Sequence, residues 1–150
     1  MASRRPTILL VPGAFARPVC FDRLVGVLKS KGYETICCTY PSSDPPQADD
    51  CSSAADAAHI RETYLIPLIR EQQKEVVIFA HSYGAICGGA AATGLAHQDV
   101  EKDGGARAGG IVGLIYLAGT PVPGGMALMD VFPGGGAIPF FRVDHVSAYF

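Results

Sequence analysis

The sequence predicts an α/β fold, a mostly parallel sheet with helices on both faces. Four short apolar runs of strand length recur along the chain, each rich in β-formers. Segments with apolar residues at helical spacing separate them, so the order is strand, helix, strand, helix, strand, helix, strand. The runs are continuously apolar rather than alternating, as strands covered on both faces are.

The first strand is Thr7 to Val11, stopped by Pro12-Gly13. Pro18 opens a helix in which Phe21, Leu24, Val25 and Leu28 share a face, and Gly32 ends it. Tyr33 to Thr39 is the second strand, and the prolines of Pro41 to Pro46 impose a loop. From about Ser52 to Gln73 the chain reads as a helix with Ala57, Ile60, Tyr64 and Leu68 on one face and a late kink at Pro67. Glu75 to Ala80 is the third strand, Tyr83 to His97 an Ala/Gly helix, 98–110 a polar glycine-rich loop, and Ile111 to Ala118 the fourth strand. After Gly119 no further strand–helix unit is legible, and there is no internal repeat.

Composition narrows the class. The chain has 150 residues, enough for a single domain, 1–150. Twelve basic against fourteen acidic side chains leave a net charge of −2, which offers nucleic acid no basic footprint. Apolar residues at 49% exclude disorder by low hydrophobicity. No stretch reaches the ~18 apolar residues of a membrane span. Cys20, Cys37, Cys38, Cys51 and Cys87 are odd in number and lack metal or disulfide spacing, so buried reduced thiols are expected. The first residues imitate a signal peptide, but Pro12-Gly13 breaks the short apolar stretch, so a cytoplasmic location is expected.

Chemistry concentrates at Ala80-His81-Ser82-Tyr83-Gly84. The pentad follows the third strand and opens the Ala/Gly helix, the setting of a nucleophile elbow. Such a turn is tight, so Ala80 and Gly84, two residues either side of Ser82, must be small. Ala85, Gly88, Gly89, Ala90, Ala91 and Ala92 let the helix approach the sheet, and its N-terminus favours negative charge near the serine. The alternative is a serine that only caps a helix. The first strand also ends in a glycine turn at its carboxyl end, where parallel sheets place ligands. An oxyanion hole needs two N–H groups aimed at one point, and Tyr83 and Ala14 are the expected donors.

The segments L-L-V-P-G-A-F, C-F-D-R-L, A-H-S-Y-G-A and I-Y-L-A-G-T-P-V-P-G-G together resemble the α/β-hydrolase superfamily, in particular its small esterase, methylesterase and hydroxynitrile-lyase branch. The resemblance spans roughly residues 7 to 132. Family members commonly carry His-Gly where this chain has Pro12-Gly13. It implies an α/β-hydrolase core over about 6–120, with 121–150 as the start of a lid or cap and the C-terminal part of the fold missing. It also implies a triad in the order serine, acid, histidine. Asp130 and His145 keep that order after Ser82, although no strand separates them, and a segment of the lid is the competing assignment for both. His81 is expected to project away from the serine, while His59 and His97 lie elsewhere on the sheet.

The expectation is therefore a serine hydrolase acting on a small carboxylic ester or related acyl substrate, with no cofactor, no metal and no nucleic-acid or membrane partner. A truncated, catalytically incomplete chain that binds a ligand and a hydroxynitrile-lyase-like C–C lyase are the competing readings. The oligomeric state and the substrate are not legible.

Overall fold

The computed structural model describes residues 5–43, 51–104, 109–126 and 128–131. Four strands, β1 (Thr7–Val11), β2 (Thr35–Cys37), β3 (Glu75–His81) and β4 (Gly110–Leu117), form one parallel sheet in the order β2-β1-β3-β4. The helices are α1 (Asp22–Ser30), α2 (Ser53–Ile60), α3 (Gly84–Ala91) and α4 (His97–Gly104). The expected architecture is thus present, with the chemistry at the carboxyl ends of β1 and β3, which are neighbours.

Side-chain alternation along β1 sorts the core into two layers. Leu9 and Val11 join Ile78, Ala80, Ile60, Leu65 and Ile69 on the face covered by α2 and α3. Ile8 and Leu10 point the other way, against Phe21, with Leu24, Val25 and Leu28 of α1 packed around them. A short 3-10 turn, Pro18–Phe21, leads into α1, and Gly32 beyond its end takes a left-handed φ of 80°.

Two helices differ from the sequence expectation. After Ile60 the chain of α2 continues in π-helical winding over Arg61–Leu65 and Pro67–Glu71. Pro67 has no N–H to donate and its ring crowds the preceding turn, and the wide π winding accommodates it. The Ala/Gly helix ends at Ala91 rather than His97, and a separate α4, His97–Gly104, occupies the first part of the 98–110 segment expected to be loop. Gly94, at φ 69°, turns the chain between the two helices, and buried Leu95 and Val100 anchor α4 to the core. Gln98, Glu101 and Lys102 are the exposed side of that helix rather than evidence of a loop.

Among the described residues β3 is the only strand that pairs with β4, and the other edge of β4 is bridged at Ile111 by Ala96. The β3–β4 register shifts between Val76 and Val77, where Val112 is the extra residue, a bulge. Val112, Leu114, Ile115 and Leu117 are 43–50% exposed.

Candidate active site

β3 delivers the chain to Ser82, whose φ is 51°. A left-handed backbone costs an L-residue roughly 1–2 kcal/mol, so something must hold it there. The Ser82 N–H donates to Leu117 O at 3.0 Å and the Ser82 carbonyl accepts from the Ala85 N–H at 2.9 Å. The serine stands exposed at the carboxyl end of the sheet.

The small residues around the turn have specific reasons. A Cβ on Gly84 would lie 2.5 Å from Pro12 O and 2.7 Å from Val11 O, both backbone atoms that cannot yield. Ala80 is fully buried, and Gly88 of α3 packs over it and over Val11. Gly119 was not singled out by the sequence, yet a Cβ there would meet Ala85 Cβ at 2.6 Å and Ser82 O at 2.8 Å. The chain after β4 thus runs directly beneath the elbow, and Ala118 before Gly119 is also left-handed at φ 47°.

The glycine turn after β1 meets the elbow from the other side. A Cβ on Gly13 would stand 3.1 Å from Ser82 Cβ and 3.0 Å from His81 Nδ1. The structure therefore brings Ala14 and Tyr83 to the same side of Ser82's neighbourhood, and both line one cleft of about 390 Å³ with Phe15, Ser42, Cys51, Ser52 and Ser53. Tyr83 is the N-cap of α3, where the first N–H groups have no acceptor within the helix. The His81 ring packs on the Gly13 turn, closer to the site than an outward projection implies.

A buried polar network underlies this surface. Tyr40, 3% exposed, donates its hydroxyl toward both Pro12 O at 2.9 Å and Gly13 O at 3.0 Å. Asp56 on α2 is fully buried and accepts from the Tyr83 hydroxyl at 2.6 Å, the Ser42 N–H at 3.0 Å and the Ser42 hydroxyl. The Tyr40 and Tyr83 rings touch, with centroids 5.9 Å apart. Burial raises the pKa of both tyrosines, and for Tyr83 the Asp56 carboxylate adds to it, so both hydroxyls keep their protons and donate. Burial and Asp56 also push the Cys87 thiol up to about 12, which leaves it no nucleophile at neutral pH. The sequence did hold one signal for Asp56. It is an acid on the same face as Ala57 and Ile60, which the helix buries.

The remaining candidates are dispersed. Asp130 is exposed in the 3-10 turn Leu128–Val131, and His145 lies outside the described residues. His59 on α2 stacks edge-on against Tyr64, and His97 opens α4 instead of closing the preceding helix. Among the described residues no histidine hydrogen-bonds the Ser82 hydroxyl, no three His, Cys, Asp or Glu side chains gather to hold a metal, and no disulfide forms.

Comparison with known proteins agrees with this arrangement. The chain is 34% identical over 126 residues to the "Alpha/beta hydrolase nvfD" of Aspergillus novofumigatus, an alignment covering 83% of this chain and 47% of that protein. An extracellular alpha/beta-hydrolase from a Paenibacillus species, described as sharing structural and functional homology with tobacco salicylic acid binding protein 2, superposes with a TM-score of 0.62 at 15% identity, over 87% of this chain and 47% of that one. A pyrethroid hydrolase from Sphingobium faniae JZ-2 superposes at 0.53 with 19% identity, over 76% of this chain and 40% of that one. The chain thus spans about half the length of these relatives, and the structural likenesses speak for the fold. Among the described residues no helix is long and apolar enough to cross a membrane. The sequence model of the alpha/beta hydrolase family matches residues 8–149, nearly the whole chain, and with the sheet order and the turn at Ser82 this makes the chain a member of that family.

Proposed function

We propose that this chain carries the nucleophile and oxyanion-hole half of a serine hydrolase site that acts on a small carboxylic ester, thioester or related acyl compound. Ser82 Oγ attacks the substrate carbonyl, and the N–H groups of Ala14 and Tyr83 receive the oxyanion that forms. The observation that carries the reading is the left-handed Ser82, at φ 51°, so near the Gly13 turn that a Cβ on Gly13 would stand 3.1 Å from Ser82 Cβ. A strained serine costs stability and persists where the surroundings over-determine it, which is typical of functional positions. The hydrolase names of the relatives support the same chemistry.

Attack requires a base to take the serine proton and an acid to orient that base. Asp130 and His145 are the candidates in this chain, in the order the family uses. A second reading rests on the cleft of about 390 Å³ lined by Ala14, Ser42 and Tyr83, which can hold a small ligand whether or not the serine reacts. In that reading the chain binds a ligand at the cleft without turning it over.

A fluorophosphonate probe separates the two. Covalent labelling of Ser82, lost in Ser82→Ala and reduced in His145→Ala, supports the hydrolase. A folded protein whose Ser82 stays unlabelled overturns it and leaves the ligand-binding reading.

A further inference from the structure

We infer that Tyr40 and Asp56 are positioning residues that set the two donors of the oxyanion hole, Tyr40 by holding the peptide unit of Ala14 and Asp56 by holding Tyr83. The functional consequence rests on the acyl-transfer reading above. The positional claim does not.

The two donors come from segments 69 residues apart, counting from Ala14, which is exposed, to Tyr83, which is half-buried. Ala14 follows a glycine and precedes Phe15, which is 94% exposed at a left-handed φ of 61°. Glycine permits the peptide unit between Gly13 and Ala14 to rotate, and within the turn only the Ala16 N–H, 3.1 Å from the Gly13 carbonyl, opposes a flip. The peptide bond is planar and trans, so the Gly13 carbonyl and the Ala14 N–H point in opposite directions from one rigid plate. Tyr40 reaches the Gly13 carbonyl from the buried side at 3.0 Å. The same bond that holds this carbonyl inward therefore aims the Ala14 N–H outward, toward the cleft that Ala14 lines. The neighbouring Pro12 carbonyl, which Tyr40 also meets, is the atom against which Gly84 packs.

The second donor is fixed through the same network. Asp56 binds the Tyr83 hydroxyl and both the N–H and the hydroxyl of Ser42. Ser42 belongs to the turn that starts at Tyr40, which is closed by the Ser43 hydroxyl and N–H on Tyr40 O. Contacts thus run in a closed circuit from Pro12 and Gly13 to Tyr40, to Ser42, to Asp56, to Tyr83 and back through Gly84 to Pro12. A fully buried carboxylate is expensive compared with an apolar residue of similar size, and three directed donors are what such a group gains in return. Tyr40 bonds the turn that faces Ser82, and Asp56 ties Tyr83, the residue after Ser82, to the Ser42 turn that carries Tyr40.

Tyr40→Phe removes one oxygen and tests the first half. In the 150-residue chain the amide ¹⁵N order parameter of Ala14 is expected to fall from the rigid range of about 0.85 toward about 0.6, or its signal to broaden by exchange. Fluorophosphonate labelling of Ser82 is expected to slow by about 10- to 100-fold, in line with weakening one oxyanion donor. Asp56→Asn keeps one acceptor and should slow labelling less than Asp56→Ala, with the loss of order at Tyr83 rather than Ala14. A merely structural role would lower the melting temperature while leaving the Ala14 and Tyr83 amides rigid and the labelling of folded protein unchanged, and that result overturns the inference. If Tyr40→Phe does not fold, Ser42→Ala replaces it, and an unchanged Tyr83 amide in that variant overturns the Asp56 link. Wild-type protein that never labels defeats the hydrolase reading alone, since the relaxation data still decide where Tyr40 and Asp56 act.

Discussion

β1 and β4 flank the same central strand and are written in much the same residues, yet they end in opposite circumstances. All five residues of β1 are buried, because β2 and β3 pair with it on both edges and helices cover both faces. Among the described residues β4 is paired along one edge by β3 and on the other is bridged only at Ile111, and its apolar side chains on both faces meet solvent. Apolarity in a strand therefore does not by itself decide burial, which depends on what pairs with its edges and packs on its faces.

Substitutions can break or sharpen this contrast. The largest effect belongs to the covered side. Leu9→Ala, at a fully buried position, is expected to cost about 2–5 kcal/mol in urea unfolding, whereas Leu114→Ala, 43% exposed, should cost within about 1 kcal/mol. Equal losses at the two sites would dissolve the distinction between the strands. Next comes the elbow, which both strands support. Gly84→Ala drives a Cβ into β1 carbonyls and Gly119→Ala drives one into Ala85 and Ser82, so each should destabilise by about 1–3 kcal/mol and slow Ser82 labelling. Retained labelling in Gly119→Ala would show that the β4 side is dispensable to the elbow.

Smaller still is the effect of charging the open strand. Ile115→Lys with Leu117→Lys should leave the unfolding midpoint within about 0.5 kcal/mol of wild type and reduce self-association in sedimentation velocity, since exposed apolar edges invite pairing. The mildest contrast is with alkali. Cys87, behind β1 and β3, has its folded pKa raised by burial from 9.0 to about 12, so between these values the folded state holds a proton the unfolded chain has lost. Stability from this group is complete below pH 9.0 and declines as pH rises toward about 12, and buried Cys38 and Tyr40 act with the same sign. Urea midpoints taken across that window should fall, less steeply in Cys87→Ala.

Much of this architecture was legible before any coordinates. The four strands stand where continuous apolar runs predicted them, and Ala80 to Gly84 announced a tight turn because a strand led in and a helix of small residues led out. Those signals are local, carried by neighbours in the chain. α4 was hidden because its solvent face and the glycines after it imitate a loop, while only Leu95 and Val100 betray the buried side. The partners of Tyr40, Asp56 and Gly119 are illegible for a different reason. Tyr40 reaches Pro12 and Asp56 reaches Tyr83, each across 27 or more residues, Gly119 lies against Ala85 and Ser82, and no spacing rule connects them. The positive φ of Ser82 was implied by its motif, whereas that of Ala118 was not.

The pairing of Ala80 with Tyr116 and His81 with Leu117, locked by the bond from Ser82 N–H to Leu117 O, turns β4 into a gauge. Strand register moves in discrete steps, because a slip of one residue reverses which side chains face the core and the next equivalent setting lies two residues on, about 6.6 Å away. A proton acceptor must come within about 3 Å of the serine oxygen. Any polypeptide that adds itself to the free edge of β4 would consequently carry its groups to Ser82 in quantised positions. One of these suffices for proton transfer and the next is out of reach, so tolerance to misalignment there is close to nil.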